Sequence, residues 1–86
     1  MDNTALDVLV QLRMHIGDKP RLGHEHLRGN LMAEVALGAA VAFIEGQPEH
    51  ERWRFTLDLG PRTLREADIE EIWRTEAFWV WVRRQP

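Results

Sequence analysis

Three groups of residues in this chain have types and spacings that bear on chemistry. His24-Glu25-His26, with His15 and His50 elsewhere, puts two imidazoles two residues apart around a carboxylate. Such a group can share a metal ion if its loop turns suitably. The spacing matches neither the helical His-Glu-x-x-His arrangement nor a zinc-finger pattern, so solvated loop histidines are expected and no metal is assigned. A pH-sensitive contact is the other use such residues have. Glu70 and Glu71 form a carboxylate pair, but adjacent helical residues point apart, which fits a solvated face better than an acid/base dyad. If the second and third strands are neighbours, Arg52, Arg54, Arg83 and Arg84 meet with Trp53, Trp79 or Trp81 nearby, an arrangement like a surface for single-stranded nucleic acid or an acidic peptide. The net charge of −3 argues against a phosphate footprint. Trp residues in a core, with arginines paired to Glu49, Glu51 and Glu76, are the expected arrangement.

A nucleophile is hard to find. The chain has no cysteine and no tyrosine, and no serine occurs anywhere in it. That excludes serine and cysteine hydrolase chemistry, disulfides and thiolate zinc sites together. The threonines Thr4, Thr56, Thr63 and Thr75 accompany capping or strand positions. Gly17, Gly23 and Gly29 follow no Walker or dinucleotide pattern. No catalytic residue, cofactor or metal is expected. Ten arginines against one lysine, Lys19, suit interface contacts, although base composition yields the same bias.

The elements that position these residues are read from periodicity. A chain of 86 residues makes one domain, here 1–86, and buries only about 60–65% of its unfolded surface, so its stability margin is thin. Its organising stretch is Asn30 to Gly46, in which only Glu34 is charged between Leu31 and Ile44. As a helix it is apolar nearly all round, and it is too short to span a bilayer, so a buried helix is expected. Glu34, Gly38 and Glu45 share its one narrow exposed stripe. If the helix were covered all round, Glu34 would need a cation, Arg13 or Arg28. Its small residues leave room for bulky partners, with Trp79 and Trp81 expected over Gly38, Ala39 and Ala42.

Before it, Leu6, Val8, Val10, Leu12, Met14 and Ile16 alternate with polar residues as in a half-buried strand, although Thr4 and Asp7 also support a helix. Strand is the reading adopted. Gly17 to Gly29 is a long loop and the first place to look for a site. After it, Gly46-Gln-Pro48 ends the helix. Trp53, Phe55, Leu57 and Leu59 alternate with Arg54, Thr56 and Asp58 as a strand, stopped by Gly60-Pro61. A second helix follows, capped by Thr63 with Glu66 or by Asp68 with Glu71, its charged side outward. Phe78, Val80 and Val82 against Trp79 and Trp81 read as a last strand, apolar on both faces.

The expected architecture is α+β: a two-layer domain with three strands (about 5–16, 51–59 and 77–83) and two helices (about 30–45 and 63–75) in the order β-α-β-α-β. The expected function is a non-enzymatic interaction or regulatory module that self-associates through the apolar 30–46 helix, with Leu31, Val35, Gly38 and Ala42 at the interface of a dimer. The alternative is a small acidic inhibitor or antitoxin-like accessory protein, its Glu70, Glu71, Arg83 and Arg84 contacting a larger basic, nucleic-acid-handling partner. A metal-dependent role for the His24–His26 loop is the second alternative. The first residues, Met-Asp-Asn-Thr, show no signal peptide, so a cytoplasmic location is expected, with neither membrane nor nucleic acid as partner.

Overall fold

A computed structural model of the protein describes residues 5–19 and 29–86. Its frame is a four-stranded antiparallel sheet in the order β2-β1-β3-β4, formed by β1 (Leu9–Met14), β2 (Asn30–Ala36), β3 (Phe55–Leu59) and β4 (Arg62–Leu64). The alternation read in the first element does make a strand. Val10 and Leu12 are buried while Leu9 is 62% exposed. The strand begins later than expected, after a 3₁₀ turn at Ala5–Asp7 that buries Leu6 completely.

The long apolar stretch is not one helix. Residues Asn30–Ala36 pair with β1, Leu9 opposite Ala36 and Gln11 opposite Glu34, and only Leu37–Glu45 forms a helix, α1. Backbone hydrogen bonding accounts for the division. A central strand needs a neighbour on each side to satisfy its N–H and C=O groups, and β3 supplies only one. An extended Ala36 (φ −61°, ψ 143°) then turns the chain into α1, and the Leu37 N–H donates to the Val8 carbonyl at 2.8 Å. The register slips between Leu12 and Arg13, leaving Met32 as an extra residue in a bulge of β2.

Residues 51–54, expected to start a strand, belong to a 3₁₀ helix at Glu49–Arg54, and β3 follows from Phe55. The fourth strand was not expected. It forms because Gly60, at φ +60°, opens a two-residue turn that returns the chain with Leu59 opposite Arg62. Helix α2 is Glu66–Trp73, and its start is fixed by neither expected box but by the Asp68 carboxylate accepting the Arg65 N–H at 3.1 Å.

The last expected strand, 77–83, is a helix, α3 (Glu76–Arg84). The Thr75 hydroxyl accepts the Phe78 N–H at 3.2 Å, Glu76 lies in the first turn, and Arg83 and Arg84 lie in the last, all favourable to the helix dipole. Phe78 and Trp81, three apart, point inward, while Trp79 stays 41% exposed. The order is therefore β-β-α-β-β-α-α. The helices cover the face of the sheet that carries Val10, Leu12 and Leu57, and their inward side chains make one apolar cluster with it. Within that cluster the large-against-small match is made by Trp81, whose ring lies so close to Gly38 that a Cβ there would stand 2.6 Å from it. The Trp81 indole N–H also donates to Asp7 at 2.9 Å.

Candidate functional site

The 30–46 segment still turns apolar side chains outward, now from two elements. Leu31 (54% exposed) and Met32 (48%) stand on β2, and Phe43 (42%) stands on α1. The exposed residues Ala39, Ala42 and Phe43 of α1, with Gly46 at its C-cap, fall at i, i+3, i+4 and i+7, one continuous stripe without a charge. Val8 and Leu9, at the far end of β2, are exposed as well. Phe43 is held edge-on against Phe55, ring centroids 5.6 Å apart, so its outer edge is presented in a fixed position.

Of the four expected interface residues, Leu31 and Ala42 lie outward, Val35 is half-buried against the core and Gly38 is buried beneath Trp81. A single helical stripe of all four does not exist, because Leu31 and Val35 are in a strand. Among the described residues β2 has no neighbour on its outer side. Its bulge at Met32 and the exposed Glu34 are the devices by which sheet edges avoid adding a strand. Side-chain packing rather than strand addition is what this surface suits.

The charged residues are mostly engaged inside the fold. Glu45, expected on an exposed stripe, is 7% exposed. Its carboxylate lies 3.6 Å from Arg52, whose guanidinium also donates to the carbonyls of Glu45 (2.8 Å) and Gln47 (3.0 Å), closing the end of α1. Burial pushes the Glu45 carboxyl above its ordinary value; Arg52 pulls it back, Glu70 and Glu66 push it further up, and Arg74 opposes them. Arg54 lies over the Trp53 ring at 4.6 Å, with Lys19 at 5.8 Å and the His15 ring at 5.6 Å. Its guanidinium binds Glu51 and the carbonyls of His15 and Gly17, so it ties the end of β1 to the 3₁₀ helix. On the uncovered face of the sheet, Arg13 pairs with Asp58 at 2.8 Å, and Thr63 donates to the same carboxylate at 2.9 Å. Alternation in β1 and β3 was the signal for that pair. Arg13 is thus engaged elsewhere than at Glu34, and Arg28 lies outside the described residues.

Glu70 pairs with Arg74 at 2.6 Å, Glu71 is exposed, and Arg83 and Arg84 are exposed on the last turn of α3. A meeting of Arg52 and Arg54 with Arg83 and Arg84 needs a strand at 77–83 beside 51–59, and 77–83 is part of helix α3. Trp79 packs against Trp73, centroids 4.7 Å apart. His24 and His26 lie outside the described residues, among which no group of three His, Cys, Asp or Glu side chains could hold a metal ion. No helix of the described residues is long and apolar enough to cross a membrane. Comparison with protein-family models, curated proteins and solved structures returns no match.

Proposed function

We propose that the chain is a non-enzymatic protein–protein interaction module that self-associates as a dimer through the outward apolar residues of its 30–46 segment. The supporting observation is the exposure of Leu31 and Met32 on the edge strand β2 and of Phe43 on the uncharged stripe of α1. A second copy suits this surface because a partner must be apolar where it meets the stripe, and the same patch on a two-fold mate is so by construction. The bulged edge of β2 favours packing of side chains against side chains over strand addition. Sedimentation or light scattering tests it: a dimer is expected at micromolar concentration, and Met32→Glu is expected to give a folded monomer with an unchanged circular dichroism spectrum. A strict monomer at high micromolar concentration refutes the reading. The acidic-inhibitor reading has one observation in its favour, the exposed Glu71, which forms no ion pair among the described residues. Its companion Glu70 is held by Arg74.

A further inference from the structure

The β3–β4 hairpin and α2 border a half-open cleft of about 270 Å³, just below the roughly 300 to 1,000 Å³ of ligand pockets. Its floor is apolar, built by Leu37, Leu64 and Ile72. Its walls carry opposite charges. Arg62 pairs with Leu59, on the helix-facing side of the hairpin, because residues 57 and 59 share a face and Leu57 is in the core. Asp68 and Glu71, three apart on α2, line the opposite wall. These charges do not neutralise one another: among the described residues the side chains of Arg62 and Glu71 form no ion pair or hydrogen bond, and Asp68 uses one oxygen to cap α2. A guanidinium and a carboxylate that share a cleft yet stay apart match a ligand bearing both charges on one small apolar body.

The geometry points to a binding site for a free α-amino acid with a branched aliphatic side chain, its carboxylate on Arg62, its ammonium on Glu71 and Asp68, and its side chain on the Leu64 and Ile72 floor. Arg62 presents a planar fork to a carboxylate, a match of shape as well as charge. The site is separate from the proposed dimer surface on β2 and α1 and does not depend on it.

Titration with L-leucine, followed by the methyl resonances of Leu64 and Ile72, tests the assignment. Saturable shifts are expected. Leucinamide, which lacks the carboxylate, and 4-methylpentanoate, which lacks the ammonium, are each expected to bind at least about tenfold more weakly, since each loses a charge-assisted hydrogen bond. In Arg62→Gln the difference between leucine and leucinamide is expected to disappear, and in Glu71→Gln that between leucine and 4-methylpentanoate. Absence of saturable shifts with L-leucine overturns the proposal, as does 4-methylpentanoate binding as tightly as leucine. The ligand comparison needs no variant, so it stands even where a substitution disturbs the hairpin.

Discussion

Replacing Glu45 by Gln should remove most of a pH dependence that the wild-type fold carries. The side chain of Glu45 is only 3% exposed, at the carboxyl end of α1, where the helix dipole adds to the cost of a negative charge. Arg52 at 3.6 Å returns part of that cost. At an effective dielectric near 20 the attraction is about 4 kcal/mol, against a desolvation penalty of several kcal/mol for each ion. Burial prevails, and the carboxyl sits above its ordinary 4.5. Between those two values the folded protein holds more protons than the unfolded chain, so stability falls as pH rises through the window. The penalty is complete above the folded value and vanishes below 4.5. One proton limits the slope to about 1.4 kcal/mol per pH unit. Urea unfolding followed by tryptophan fluorescence at a series of pH values measures it, and the wild-type minus variant difference isolates Glu45 from the other carboxylates. Arg52→Ala supplies the converse: with the charge left unpaired, a loss of about 3–5 kcal/mol is expected at neutral pH, shrinking as the carboxyl protonates. Parallel pH profiles for wild type and Glu45→Gln would refute the reasoning.

Gly38→Ala should destabilise by about 1–3 kcal/mol through contact with the Trp81 ring, although alanine is the better helix former; thermal unfolding of the variant, compared with Ala39→Gly, checks the sign. Thr75→Ala should cost about 1 kcal/mol by releasing the Phe78 N–H at the start of α3, read as a lower urea midpoint with an unchanged slope.

Where one face of an element is wet, the sequence carries its own assignment. Val10 and Leu12 against Gln11 and Arg13 mark β1, and the charged side of α2 marks that helix. The α+β class and a small residue beneath a tryptophan follow from the same reasoning. The failures fall where both faces are apolar. Residues 30–36 have no period to distinguish strand from helix, and the need of β1 for a second neighbour decides. Phe78-Trp79-Val80-Trp81-Val82 alternates in size but not in polarity, so its pattern fits either element. The deciding signals were local and legible: Thr75 three residues before Phe78, acid at Glu76, arginines at the end. Strand β4, only three residues long, depends on the Gly60 turn for its existence. At the candidate surface, Leu31 and Ala42 lie outward, and Ala39 and Ala42, expected beneath the tryptophans with Gly38, are exposed instead. Gly38 was misplaced by the same rule that paired it with tryptophan, since a glycine that receives an indole cannot also face a second subunit.

The contact between Trp81 and Asp7 spans 74 positions of the chain. Together with the ring over Gly38, it makes the C-terminal helix the piece that closes the core over Leu6 and α1. A ribosome delivers that piece after every strand has been made, so the emerging sheet must wait with its helix-facing side incompletely covered. Loop-closure entropy over such a separation slows the final docking. The period before residues 76–84 arrive is therefore the interval in which this protein is most exposed to aggregation, and a lesion in α3 should show first as poor yield rather than as weak binding.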